Sequence, residues 1–250
     1  MMIWSEASSR LGSVTVTVPN RASLLADLRA RLAEGQGFSI ATLNLDHAVK
    51  LRSDPAFRAA YAAQTHVTAD GNPVVWLSRL AGQNVALIPG SELIEPVAAI
   101  AAEMGAPVGL VGATEASLAA SAAALKARQP GLEVALTHAP AMGFDPEGAE
   151  ADEIIGKIAA SGVRVIYLAL GAPRQERFAA RAQERLPGVG FLSIGAGLDF
   201  VSGAQIRAPR WVRAIAAEWI WRLALSSGRL AARYDSLIGQ SEGIPPVEAV

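Results

Sequence analysis

The chain of 250 residues has no cysteine, which excludes a disulfide scaffold and thiolate metal sites and fits a reducing compartment. Its three histidines, His47, His66 and His138, are scattered without metal-ligand spacing. H-E-x-x-H, Walker-loop, G-x-S-x-G and aspartate-x-aspartate patterns are all missing, so metal hydrolysis, ATP hydrolysis and triad chemistry lose their usual sequence support. No run reaches the roughly 18 uncharged apolar residues that a spanning helix needs, because the best candidate, Ile215 to Leu225, is broken by Glu218 and Arg222. The opening Met1-Met2-Ile3-Trp4-Ser5-Glu6 lacks the basic start and apolar run of a secretory signal. A cytoplasmic protein is expected, and any membrane it meets it lies on.

What is present is a composition 51% hydrophobic with a net charge of −1, the profile of one large α/β unit or two small subdomains. The near-neutral total hides an asymmetry. Residues 207 to 233 hold six arginines against the single acid Glu218, a net +5, which leaves −6 for the rest. A basic tail on an acidic body points to an anionic partner: phosphate, anionic lipid or nucleic acid.

Apolar, β-branched runs at Val14 to Val18, Ser39 to Leu43, Val85 to Ile88, Val108 to Val111, Val163 to Leu170 and Gly190 to Ile194 read as strands, with helical patterns between most of them. Leu24, Leu25, Leu28 and Leu32 repeat at helical spacing after Asn20, a natural N-cap, and Gly35 to Gly37 end that helix. The alternation predicts an α/β fold, a mainly parallel, Rossmann-like sheet covered by helices, with its binding crevice at the strand C-termini. Past Gly203 the pattern turns helical, basic and tryptophan-rich. The expected division is therefore a catalytic body, 1–203, and a helical, basic C-terminal appendage, 204–250.

Loops that follow strands hold the candidate chemistry. Thr42-Leu43-Asn44-Leu45-Asp46 places a hydroxyl, an amide and a carboxylate where strand gives way to helix, either as a site or as a plain helix cap. Asp70-Gly71-Asn72-Pro73 sets a carboxylate beside a turn glycine, and Asp70 again reads as a site residue or a turn residue. The most hydrophobic strand empties into Gly171-Ala172-Pro173-Arg174-Gln175-Glu176, which resembles a site more than a surface turn. Gly195-Ala196-Gly197-Leu198-Asp199 lets a phosphate or sugar approach the backbone but lacks the spacing of a dinucleotide fingerprint. In the tail, Arg222, Arg229 and Arg233 fall at i, i+7 and i+11, so a continuous helix would present all three on one face as a diphosphate clamp; the other reading is a solvated helix face, or a helix broken at Ser226-Ser227-Gly228. Trp211, Trp219 and Trp221 suit a membrane interface or packing against the body.

In this order the blocks resemble the WecG/TagA/CpsF family of bacterial glycosyltransferases, from about Thr42 to Tyr234. The most specific parts are Gly171 to Glu176 and the run from Gly195 through Arg207-Ala208-Pro209 and Trp211 to Glu218-Trp219, Arg222-Leu223 and Arg233-Tyr234. Ala69-Asp70-Gly71, Pro89-Gly90-Ser91-Glu92-Leu93 and Leu110-Val111-Gly112 support them. The resemblance implies inverting transfer, without an obligatory metal or cofactor, of an N-acetylmannosamine-type or related hexose from a UDP-sugar to a polyprenyl-diphosphate-linked acceptor, in surface-polysaccharide, exopolysaccharide or teichoic-acid-type synthesis. It implies Asp70 as the base, with Thr42, Asn44, Gly90, Gly112, Arg174, Gln175, Glu176, Asp199, Arg222, Arg229 and Arg233 binding substrate and no metal-ligand residues. The protein is then expected at the inner face of the cell membrane, with no nucleic-acid partner and with homo-oligomerisation open. Asn72-Pro73 and Glu92 depart from the family's usual residues, the proline expected around Ser227 is absent, and a glycine-aromatic-phenylalanine block survives only as Met142-Gly143-Phe144. A drifted donor, for instance a glucosyl one, is the corresponding expectation.

Two rivals share the sheet. A nucleotide-dependent oxidoreductase predicts a G-x-G-x-x-G after the first strand and an acid about twenty residues on, and neither occurs. A non-catalytic nucleotide- or RNA-binding protein would leave the Asp70 and Gln175 clusters without a task, and no RNA-binding motif is evident.

Overall fold

The computed structural model describes residues 14–203, and the fold is built from them. The strands are β1 (Phe38–Leu43), β2 (His66–Ala69), β3 (Val108–Gly112), β4 (Val134–His138), β5 (Val165–Ala169) and β6 (Gly190–Ser193). The helices are α1 (Arg21–Ala33), α2 (Leu45–Ser53), α3 (Pro55–Ala62), α4 (Asn72–Leu80), α5 (Ile94–Glu103), α6 (Glu115–Arg128), α7 (Ala149–Ser161), α8 (Arg174–Arg185) and α9 (Gly197–Val201). A single 3-10 turn, Gly90–Glu92, precedes α5.

Every strand pair is parallel, in the order β2-β1-β6-β5-β3-β4. Helices cover both faces, so β1, β3 and β6 are buried along their whole length. The two-residue period of a strand divides the core. Val165 and Tyr167 face a cluster built with Leu24 and Leu28 of α1, Val97 of α5 and Leu125 of α6. Ile166 and Leu168 face Ile154 and Ile158 of α7 and Phe178 of α8. A third cluster packs Ala41 and Val67 against Leu51 of α2, Phe57 and Tyr61 of α3 and Val75 of α4. Each fully buried leucine- or phenylalanine-sized side chain contributes about 1.5–3 kcal/mol. The fit is close: a Cβ on Gly190 would stand 2.4 Å from the Phe38 ring.

Local chemistry starts the helices where the sequence signals them. Asn20 caps α1 through the Ser23 N–H, Asp54 caps α3 through Phe57 N–H with Pro55 following, and Thr114 caps α6 through Ser117 N–H. α7 ends on Gly162 at φ 71°.

Two expected strands are corrected. Val14 to Val18 and Val85 to Ile88 are extended segments along the free edge of β2. The first is held by Thr17 N–H and Val18 N–H donating to Val67 O, the second by Ile88 N–H donating to Ala69 O. The two segments share the outer edge of β2, the first bonded at Val67 and the second at Ala69, so neither builds a ladder. Two strands went unexpected, β2 and β4.

Candidate active site

Because all six strands run parallel, the loops after them gather at one edge of the sheet. The chain leaving β1 turns through α2 and α3 toward β2. α9, leaving β6, packs instead against α6, which follows β3. Connections thus diverge on either side of the β1–β6 pair, the arrangement that opens a ligand crevice at strand C-termini.

On the β1–β2 side, the Asp70 N–H donates to Leu43 O at 2.8 Å. Asp70 is therefore held beside the end of the strand that carries Thr42 and Asn44. Asp70 does not cap α4: the N-cap is Gly71, at φ 112°, and Pro73 sits in the first turn, where a missing N–H costs nothing. Asn44 does cap, its Oδ1 accepting the His47 N–H at 2.9 Å, which leaves its side-chain amide N–H groups for other partners. Asp46 pairs with Lys50 on the exposed face of α2.

Beneath these residues lies a buried polar chain. The Tyr61 hydroxyl donates to Thr42 O at 3.0 Å and lies 2.7 Å from His47 Nδ1. The hydroxyl has one proton, committed to Thr42, so His47 must donate and carry its proton on Nδ1. Burial lowers the His47 pKa to about 4, so the ring is neutral near pH 7. Burial also holds the Tyr61 hydroxyl well above its ordinary value, and the carboxylates of Glu176 and Asp70 push it the same way.

On the β5–β6 side, Gly171 at φ 71° turns the chain from β5 toward α8. Arg174 opens that helix exposed, while Gln175 and Glu176 are buried. Gln175 uses both ends of its amide: Oε1 accepts the Gly195 N–H at 3.1 Å and Nε2 donates to Glu176 Oε1 at 2.8 Å. Gln64 Nε2 donates to the Glu176 backbone oxygen at 3.2 Å. Burial raises the Glu176 carboxyl to about 7, against the lowering effect of the Gln175 hydrogen bond. Its Oε2, like Ser193 Oγ, has no hydrogen-bond partner among the described residues.

Gly90 is required by close packing, since a Cβ there would lie 3.0 Å from Ser193 O and 3.1 Å from Thr42 Cγ2. It fills the space between the ends of β1 and β6. Gly112, at φ 111°, lies against Ala169 of β5, whose carbonyl a Cβ would meet at 2.4 Å. Asp199 accepts from Ser117 Oγ of α6 at 3.0 Å, which ties it to the β3 side. Glu92, where the family resemblance leads one to expect aspartate, forms an ion pair with Arg21 of α1. Among the described residues no group of three or more histidine or acidic side chains is placed to hold a metal ion. Arg222, Arg229 and Arg233, and the tryptophans near them, lie outside the described residues.

The structure brings together Thr42, Asn44 and Asp70 on one side and Gln175, Glu176 and Gly195 on the other. Sequence reasoning missed Tyr61, His47 and Gln64. Their partners stand 14, 19 and 112 positions away, and no local spacing signals them.

Fold and site define a parallel α/β protein that gathers the Asp70 carboxylate, the Asn44 and Gln175 amides and glycine turns at the strand C-termini, without a dinucleotide fingerprint. The particular branch follows from comparison with known families. The chain matches the model of the Glycosyl transferase WecG/TagA/CpsF family over residues 9–242, and it belongs to that family. It is a glycosyltransferase of glycan synthesis.

Proposed function

We propose that the protein moves a hexose, of the N-acetylmannosamine type or a related glucosyl unit, from a UDP-sugar onto a polyprenyl-diphosphate-linked sugar, with inversion, in surface-polysaccharide, exopolysaccharide or teichoic-acid-type synthesis. The observation that carries this reading is the Asp70 N–H to Leu43 O bond of 2.8 Å, which sets a carboxylate beside Thr42 and Asn44 at the crevice. Asp70 takes the proton of the acceptor hydroxyl as its oxygen attacks the anomeric carbon. The carbon–oxygen bond to the diphosphate breaks on the opposite face, and UDP leaves with the electron pair.

The departing diphosphate needs positive charge, which Arg222, Arg229 and Arg233 supply from the appendage, 204–250. The amide N–H groups of Asn44 and the exposed guanidinium of Arg174 orient sugar hydroxyls or phosphate oxygens. Gln175 and Glu176 act behind the substrate, by shaping the Gly195 loop. Gly90, Gly112 and Asp199 form the walls. No helix among the described residues is long and apolar enough to cross a membrane, and the +5 segment from 207 to 233 holds the protein at the anionic inner face of the cell membrane.

The test is a donor screen that reads UDP release with a polyprenyl-diphosphate acceptor analogue. One UDP-hexose or UDP-N-acetylhexosamine should give acceptor-dependent release, and UDP should raise the melting temperature. Stabilisation by NAD(P) instead, with no donor turned over, would favour an oxidoreductase.

A further inference from the structure

Gln64, just past the end of α3, has a side chain that serves two helices at once. Its Nε2 donates to Ala60 O at 2.9 Å, in place of the Gln64 backbone N–H, which turns to Tyr61 O. The same nitrogen donates to Glu176 O of α8 at 3.2 Å, so both amide hydrogens are in use. The oxygen is idle: Gln64 is 7% exposed, and its Oε1 has no hydrogen-bond partner among the described residues. A leucine would fill the same space without burying an unpaired oxygen. What the glutamine adds is the bond to α8.

Three residues earlier, on the same face of α3, the Tyr61 hydroxyl donates to Thr42 O at 3.0 Å. Through Tyr61, α3 is thus tied to the strand end that carries Thr42 and Asn44 and holds Asp70 by its bond to Leu43 O. Through Gln64 it is tied to the first turn of α8, where Gln175 Oε1 accepts the Gly195 N–H. These two sides leave different strands, β1 and β5, with β6 between them. α3, packed along α8, spans that gap.

We propose that Gln64 is a positioning residue of the transfer site: together with Tyr61 it makes α3 the spacer that sets the distance between the Asp70 side of the crevice and the Gln175–Gly195 side. In-line displacement is sensitive to that distance. The acceptor oxygen beside Asp70 must meet an anomeric carbon held from the other side, and a misplacement of about 1 Å costs on the order of 10²-fold in rate. This consequence for catalysis rests on the proposed function; the spacing itself does not.

Gln64→Leu keeps the volume and removes both side-chain bonds. Glu176 O lies within α8 and retains its helical partner, so the variant should fold and lose only some stability at the end of α3. Ala62→Gly, on the exposed side of α3, is the control: it weakens the same helix and removes no bond to α8. Well below both melting temperatures, and without donor or acceptor, the Gly195 amide should exchange several-fold faster in Gln64→Leu than in the wild type or in Ala62→Gly. With substrates, kcat of Gln64→Leu should fall about tenfold or more while KM for donor and acceptor changes less than about threefold. Ala62→Gly should turn over at the wild-type rate. Combining Gln64→Leu with Gln175→Ala should lower kcat no further than Gln175→Ala alone, since one path carries both effects.

Unchanged exchange at Gly195 in Gln64→Leu would overturn the proposal. Equal losses of turnover in Gln64→Leu and Ala62→Gly would do so too, because the effect would then be one of helix stability, as would losses that multiply in the double variant. If exchange at Gly195 quickens in Gln64→Leu while even the wild type turns over no UDP-sugar, the spacer stands and only the transferase reading falls.

Discussion

Gln175 reaches across the crevice floor to Gly195: its side-chain oxygen accepts the glycine N–H at 3.1 Å while its amide nitrogen donates to Glu176 at 2.8 Å. The start of α8 and the loop after β6 are thereby joined by one buried side chain, 2% exposed. Removing it as Gln175→Ala leaves the Gly195 N–H unpaired, at a cost of about 1–3 kcal/mol. Amide exchange at Gly195 should accelerate, and turnover should fall as the loop loses its position. Unchanged exchange at Gly195 would remove Gln175 from this role.

Glu176 makes stability depend on pH. Its carboxyl titrates near 7 in the folded protein, against an ordinary value of 4.5, because it is buried. A raised acid favours the folded state while protonated. The contribution is complete below about pH 4.5 and is lost as pH rises to about 7, on the order of 3 kcal/mol in all. Glu176→Gln keeps an acceptor for Gln175 and carries no charge, so it should flatten the melting temperature between pH 5 and 8 and match or exceed wild-type stability above pH 7. A variant with the wild-type pH slope would assign that slope to other groups.

Much of the fold was legible. Leu24, Leu28 and Leu32 behind Asn20 specify α1, and the apolar runs of β1, β3, β5 and β6 specify strands, because burial on both faces demands unbroken hydrophobicity. β4 escaped notice because an edge strand alternates half-buried and exposed residues, and β2 because four residues beginning with a histidine make no run. Val14 to Val18 carries the same β-branched signal as a true strand, but it meets β2 only at Val67, whose N–H goes to the Thr17 hydroxyl rather than to backbone, so no ladder forms. At the site, loop position pointed to Asp70 and Gln175. The burial of Glu176 and the Tyr61–His47 contact depend on how α3 meets α8, which no local pattern records.

Tyr61 is the hinge of that hidden chain. Tyr61→Phe removes the donor to Thr42 O and the acceptor for His47 Nδ1, leaving both buried groups short of a partner at a cost of about 1–3 kcal/mol. Nitrogen NMR should show His47 protonated on Nδ1 in the wild type and as a tautomer mixture in the variant. An Nε2–H histidine in the wild type would contradict the assigned direction of the chain.

Positive charge, rather than a bound metal, is expected to neutralise the departing diphosphate. Activity should persist in EDTA, and Arg222→Ala should lower turnover even with a soluble acceptor, whereas Arg210→Ala should mainly weaken salt-sensitive vesicle binding. Complete loss in chelator, restored by Mg²⁺ or Mn²⁺, would reverse the assignment.

The central claim is that Asp70, held against Leu43 at the end of β1, removes the acceptor proton. The most direct measurement is the single-turnover rate of Asp70→Asn with saturating donor and acceptor, beside its melting temperature and UDP affinity. The rate should drop about 10²-fold or more, with fold and UDP binding preserved. A near-normal rate in the folded variant would make Asp70 structural and place the base elsewhere.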